Sequence, residues 1–301
     1  MNTEHVQTKR EIMELLNAVG ARPCKRLGQH FLIDGNLMRR LPASAQLDPA
    51  DLVLEVGAGT GGLTDLLAAR ARKVICVEID ESLFTILEDR FRYAGGVLLL
   101  RGDILESKHR IMSEVADAIR SYACGSTGSV KLVANLPYQA ATPLVMNLLQ
   151  DYPQVRRLCF TVQAEVGERI TAGPNCKAYG PLSVISQLLC EIQTVARLPP
   201  EAFWPRPSVS SVMLRMDAVK TPFADRQELR RFAALVHGTF EHRRKTLRSA
   251  LAYCVDDATR DRVCQNFDAT RRPESFTPGE WLKICSSVRE KRDITDYVEN
   301  Q

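Results

Sequence analysis

The sequence predicts an α/β protein: a mostly parallel, seven-stranded sheet with helices on both faces, followed by a small all-helical domain. Three observations predict it. Between Asp51 and Asp217, short apolar runs suited to buried strands alternate with stretches of helical periodicity. Beyond Asp217 good strand patterns stop. Residues 226–288 carry helical spacing instead, at Leu229, Phe232, Leu235 and Val236, then at Leu247 and Leu251. Finally, 301 residues with 45% hydrophobic and 25% charged side chains suffice for two packed bodies. The expected domains are 1–219 and 220–301.

The elements follow in order. Residues 7–19 read as an amphipathic helix with Ile12, Leu15, Leu16 and Val19 on one side, and the basic loop "RPCKRLGQHFL" comes next. Strands are expected at 52–56, 73–78, 97–101, 130–134, 157–162, 191–197 and 209–216. Helices are expected near 61–70, 81–93, 107–122, 142–150, 163–172 and 180–190, with Thr142-Pro143 as the start signal for the fourth. "CGSTGS" (124–129) is a loop. Segments 258–266 and "TPGEWLKICSSV" complete the helical part.

Composition narrows the function classes. No 18-residue apolar run and no signal-peptide core is present, so a soluble, cytoplasmic protein without a membrane partner is expected. The nine cysteines form no CxxC pair and read as small buried hydrophobes in a reducing compartment, with no metal site. The net charge of +4 is unevenly spread. Residues 1–40 hold seven Lys/Arg against four acids, 220–301 hold sixteen against thirteen, and the stretch between holds seventeen against nineteen. Basic ends around a neutral centre suit a polyanion such as nucleic acid, although basic surfaces also serve solubility alone.

"DLVLEVGAGTGGLTDLL" combines a strand, a glycine-rich turn and a helix. Gly57, Gly59 and Gly62 match G-x-G-x-x-G, so a nicotinamide dinucleotide has to be weighed. Other features favour S-adenosylmethionine. Glu55 stands where nicotinamide sites usually have an apolar residue, and Gly61 extends the pattern to E-x-G-x-G-x-G. Glu78 closes the next strand, where a carboxylate accepts ribose hydroxyls in either kind of site. Asp103 closes the third, placed to receive an adenine amino group. Each acid alone also reads as a solvated strand end. Three at successive strand ends read as a Rossmann-like ligand site.

The fourth strand ends in Asn135-Leu136-Pro137-Tyr138, where a plain turn would use Gly, Asp or Ser. An exocyclic adenine amine is a poor nucleophile because its lone pair is delocalised into the ring. Two neutral acceptors, Asn135 Oδ1 and the Leu136 carbonyl, would each take one N–H and aim that lone pair at a sulfonium methyl. Pro137 sets the turn, and Tyr138 offers a face for an extruded base. The other reading is a strand-to-helix turn in which Asn caps and Tyr packs.

With these residues in hand, the chain resembles the ribosomal RNA adenine N6,N6-dimethyltransferases, and most closely their small-subunit branch, from about Lys25 to Leu251. The motifs are "LGQHFL", "EVGAGTGGLT", "VEID", "GD", "NLPYQAATPL", "AGPNCKAYGPLSV", "PPEAFWPRPSVSSVMLRM" and "FEHRRKTLRSAL". The resemblance implies S-adenosyl-L-methionine as cofactor, S-adenosyl-L-homocysteine as product, and N6,N6-dimethylation of two adjacent adenosines near the 3′ end of small-subunit RNA. It implies Gln29, His30, Leu32, Gly57, Glu78, Asp103 and Asn135 at the cofactor, with Ile104 packing on the adenine. Phe203 would sandwich the target base opposite Tyr138. Lys25, Arg26, Arg244, Lys245 and Arg248, the last three around one helical turn, would contact phosphates, with Arg39 and Arg40 as further cations.

The sequence departs from the family pattern at His30 for the usual Asn, Pro181 for a common Arg and Ser208 for a frequent Lys. Expected partners are the small-subunit RNA and the immature small subunit, bound by a monomer. Competing readings are an assembly factor for which methylation is secondary, a large-subunit methyltransferase, and a nicotinamide dehydrogenase that would leave "NLPY" without a purpose.

Overall fold

The computed structural model describes residues 5–125 and 127–288. From the N-terminus, α1 (Lys9–Ala18) leads to β1 (Phe31–Leu32) and α2 (Gly35–Ala45). Next come β2 (Leu52–Val56), α3 (Gly62–Ala68), β3 (Lys73–Glu78), α4 (Glu81–Phe91) and β4 (Val97–Arg101). A hairpin of β5 (Leu105–Ser107) and β6 (Arg110–Ile111) precedes α5 (Ser113–Gly125). Then follow β7 (Val130–Asn135), α6 (Tyr138–Asp151), β8 (Val155–Gln163), α7 (Ala164–Thr171) and α8 (Pro181–Leu189). The last strands are β9 (Cys190–Leu198), β10 (Phe203–Trp204) and β11 (Ser211–Ala218). Four helices close the described chain: α9 (Arg226–Glu241), α10 (Leu247–Leu251), α11 (Asp257–Asn266) and α12 (Pro278–Ser286).

The main sheet has seven strands in the order β4-β3-β2-β7-β8-β11-β9. Neighbours from β4 through β8 are parallel, and β11 runs antiparallel to β8. All five residues of β2 are buried, as are five of six in both β3 and β7. Val53, Val74, Ile75 and Val133 supply the β-branched bulk that a strand covered on both faces needs. The chain leaves β2 toward β3 and β4 on one side, then returns to build β7 on the other. Strand order reverses between β2 and β7, and a crevice opens at the carboxyl ends of such a pair.

Two compact units emerge. The first joins the described residues up to Gly167 with Glu191–Ala218, and the second joins Glu168–Cys190 with the described residues from Val219 onward. The change at Ala218/Val219 falls one residue from the 219/220 boundary read from sequence, while Glu168–Cys190 belongs to the helical unit. That unit has its own core. Tyr179 and Trp281 are fully buried, Tyr179 donates to the Phe276 carbonyl at 2.8 Å, and Phe240 lies 5.8 Å from the Trp281 ring.

Two helix expectations need correction. The helix expected over 107–122 starts only at Ser113, because β5 and β6 pair locally and use those residues first. The helix expected at 142–150 starts at Tyr138, and Pro143 lies inside it instead of at its start. Pro137 takes the capping position, so Thr142-Pro143 is not the start signal. Among the described residues, no helix is long and apolar enough to cross a membrane.

Candidate active site

The glycine turn after β2 shapes the floor of the crevice. Gly57 has φ +73°, and a Cβ there would lie 2.9 Å from Cγ of Pro137, so only glycine lets the turn approach "NLPY" this closely. The Gly59 N–H donates to Glu78 Oε2 at 2.8 Å, and the Asp80 N–H donates to Oε1 at 3.0 Å. Burial raises the Glu78 carboxyl above its ordinary pKa, against the pull of those backbone donors. Glu55 is 1% exposed and accepts from Thr64 Oγ1 at 2.7 Å and from Cys76 Sγ at 3.4 Å. Burial, opposed by these two donors, pushes its carboxyl up to about 8.

The N-terminal segment is tied across this turn. Gln7 Nε2 donates to the Thr60 carbonyl at 3.1 Å, and Thr60 Oγ1 returns a bond to Gln7 Oε1 at 2.6 Å. The Gln29 carboxamide is held at both ends, accepting from the Cys24 N–H at 2.7 Å and donating to Asp80 Oδ2 at 3.0 Å. His30 Nδ1 lies 2.6 Å from the Pro205 carbonyl. A carbonyl only accepts, so Nδ1 carries the hydrogen.

Asn135 ends β7. Its Nδ2 donates to the His30 carbonyl at 2.9 Å, and its Oδ1 accepts from the Thr161 hydroxyl on β8. Leu136 is 2% exposed and anchors the turn in the core. Tyr138 opens α6, its hydroxyl 3.0 Å from Ser211 Oγ and its ring centroid 5.7 Å from that of His30. Burial raises the Tyr138 phenol, so it stays neutral at physiological pH.

One cleft gathers nearly every cofactor and catalytic residue expected from sequence. Gln29, His30, Leu32, Glu55, Gly57, Gly59, Glu78, Asp103, Ile104, Asn135, Leu136, Pro137 and Tyr138 all line it. Asp103 is exposed and uses Oδ1 to accept the Leu105 N–H at 2.9 Å. The sequence reading missed Gln7, Thr60 and Ile79 as lining residues, and Thr161 and Ser211 behind them. Ile79 had a signal, since it follows the strand-end Glu78 directly; it is 46% exposed. Thr161 also had one, as the lone polar residue in the apolar run 158–162; Gln7, Thr60 and Ser211 had none, standing among other polar or small residues.

Phe203 is a correction. It was expected to face the target base, but it is 3% exposed and packs in the main core with Leu32, Met38 and Ala202. The reason is register: β1 and β10 pair Leu32 with Phe203, so both side chains leave the ribbon on its core face. Alternation sends Phe31 and Trp204 to the other face, their centroids 6.2 Å apart.

The basic residues are only partly where they were expected. The side chain of Lys25 lies outside the described residues, and Arg26 is exposed on a 3-10 turn. Arg244, Lys245 and Arg248 do not share one helical turn. The first two sit in the link between α9 and α10, because the Thr246 side chain caps α10 and restarts the helix there. Arg244 is exposed, Lys245 donates to the Tyr253 hydroxyl, and Arg248 pairs with Asp261 at 2.9 Å. Pro181 begins α8, a position that suits proline because the first N–H of a helix has no internal partner.

Comparison with known proteins gives a consistent result. Residues 21–289 match the family model described as ribosomal RNA adenine dimethylase. A ribosomal RNA small subunit methyltransferase A from Moorella thermoacetica is 38% identical over 95% of this chain and 99% of its own length. Its namesake from a Geobacillus strain is 32% identical over 94% and 98%. Among solved structures, a dimethyladenosine transferase from Plasmodium falciparum superposes with a TM-score of 0.68 at 23% identity, covering 85% of this chain and 96% of that one. The 23S rRNA methyltransferase ErmE superposes with 0.61 at 22% identity, over 86% and 100%. At those identities the structural likeness speaks for the fold.

Proposed function

The chain belongs to the ribosomal RNA adenine dimethylase family, and on that premise we propose that it dimethylates N6 of two adjacent adenosines near the 3′ end of small-subunit ribosomal RNA. The observation that carries this reading is the Asn135 carboxamide. It lines the cleft with Nδ2 committed to a backbone carbonyl, so an incoming amine meets its oxygen.

The cleft suits S-adenosyl-L-methionine. A carboxylate has about four acceptor positions, and backbone donors take one on each oxygen of Glu78, which leaves capacity for two ribose hydroxyls. Asp103 keeps one oxygen outside its own turn for the adenine amine, with Ile79 and Ile104 offering apolar contact. The bare Gly57–Gly59 turn admits the amino-acid part, facing Glu55, Gln29 and the His30 loop. When bound, this cofactor supplies an electrophilic methyl group and departs as S-adenosyl-L-homocysteine.

The chain's own residues then have distinct tasks. Asn135 Oδ1 and the Leu136 carbonyl accept the two N6 hydrogens and draw the nitrogen lone pair out of conjugation. Pro137 holds the turn, and the neutral Tyr138 ring presents a stacking face, worth about 1–3 kcal/mol for a base. Phe203 belongs to the core, so Tyr138 carries that contact with the His30 ring nearby. Arg26, Arg244, Lys245, Arg248 and Lys25 meet phosphates and position the RNA without reading it.

The names of the most similar relatives favour the small-subunit substrate over the large-subunit one. The partner is then the immature small subunit, met by a monomer where cytoplasmic ribosomes are assembled. The test is transfer of labelled methyl groups into undermodified small subunits and into naked RNA, with nucleoside mass spectrometry of a deletion strain. Undiminished dimethyladenosine in that strain's small-subunit RNA rejects the proposal.

A further inference from the structure

Thr161 is a buried polar residue in an apolar stretch. Its neighbours Cys159, Phe160 and Val162 on β8 are fully buried, and Thr161 itself is 1% exposed. A buried hydroxyl costs stability unless it is bonded, and its partner here is Asn135 Oδ1. The parallel register of β7 and β8 sets Asn135 directly opposite Thr161, so the contact follows from strand pairing.

We propose that Thr161 is a positioning residue that holds the Asn135 carboxamide with its oxygen toward the substrate amine. The proposal rests on the reading of Asn135 as the acceptor for N6. Nothing intrinsic fixes the plane of an asparagine amide, because its terminal torsion is broad and its two ends are nearly the same size. The His30 carbonyl selects which end is nitrogen, since two opposed oxygens would repel. That single bond still leaves a pivot. The Thr161 hydroxyl supplies the second point, and a group held at both ends cannot swing. It also takes one of the two acceptor positions of Oδ1, which leaves the other for the substrate amine. Methyl transfer needs the amine nitrogen aligned with the departing sulfur, so the loss of that direction falls on the chemical step.

Further polar contacts extend the arrangement. His30 is held in place by its ring donating to the Pro205 carbonyl, and Tyr138 is held by Ser211 on β11. Asn135 and Tyr138 thus depend on residues outside their own motif.

The experiment compares full-length Thr161→Val, Thr161→Ser and Asn135→Ala in steady-state methyl transfer to undermodified small subunits. Valine keeps the shape and suits a buried strand. The expected result for Thr161→Val is a fall in kcat of roughly tenfold, the scale of one hydrogen bond. KM for S-adenosyl-L-methionine should stay within about twofold. Thr161→Ser, which restores the hydroxyl, should recover most of the loss. Thr161→Ala gives the same comparison should the valine methyl disturb packing. Wild-type kcat in Thr161→Val alongside an inactive Asn135→Ala overturns the role of Thr161 and leaves the acceptor reading standing. Equal impairment of the serine and valine variants also overturns it, since bulk and not the hydroxyl would then matter. Wild-type kcat in Asn135→Ala overturns the acceptor reading and the proposal with it.

Discussion

The cleft at the ends of β2, β3 and β7 and the basic link after α9 are both proposed contact surfaces, and they are built differently. In the cleft, polar groups are buried or half-buried and tied at two points: Glu78 to two backbone donors, Gln29 to a backbone N–H and Asp80, Asn135 to His30 and Thr161. In the link Arg244 stands in solvent, and in the adjoining α10 the Arg248–Asp261 pair is 57% and 51% exposed. An exposed pair of this kind contributes about 0–1 kcal/mol to stability. Moving one atom in the cleft therefore changes chemistry, whereas each cation in the link adds a small, salt-screened increment to binding.

The strongest way to break that contrast is Asn135→Ala. Loss of a positioned polar group at a reacting centre should lower kcat by roughly a hundredfold or more. Calorimetry should still register S-adenosyl-L-methionine binding, because Glu78 and Asp103 remain. Gly57→Ala comes next. With φ +73° and a Cβ 2.9 Å from Pro137, the variant should lose about 1–3 kcal/mol in thermal unfolding and bind cofactor more weakly.

Glu55 sharpens the contrast through pH. Its folded carboxyl stands near 8 against an ordinary 4.5, so the folded state holds a proton that the unfolded state has released across that interval. Stability from this group is present at low pH and drains away as pH rises through about 4.5 to about 8. The melting temperature of the cofactor-free wild type should fall over that range, and Glu55→Gln should flatten the slope. A residue of the same sign remains from the raised Glu78 carboxyl. An unchanged slope in Glu55→Gln would sink the assignment. The smallest effects belong to Arg244→Ala and Arg248→Ala. Each should weaken RNA binding a few-fold, cut the salt slope by about 1, and leave the melting temperature nearly unchanged.

Much of the molecule is legible in the sequence for a physical reason. A parallel strand buried on both faces must be a continuous apolar run, so β2, β3 and β7 announce themselves and bring Glu55, Glu78 and Asn135 with them. Glycine is the residue that tolerates the Gly57 turn, which makes that turn equally visible. Short local pairings are harder to see. The β5–β6 hairpin hides inside a helical pattern, and Pro143 looks like a helix start although α6 already runs through it.

What the sequence alone determined is the order of the seven main-sheet strands and the helices between them, with the acids and the "NLPY" turn at the strand ends. These rest on local rules of periodicity, turn geometry and residue type. What only the tertiary structure decided is which side chains meet. Phe203 is in the core because β10 pairs with β1, and Asn135 is held at both ends because β8 and the His30 loop arrive beside it. Such contacts join residues 26 to 171 positions apart, as in Asn135–Thr161 and Leu32–Phe203, and strand register sets both, a property of the closed chain that no local pattern records.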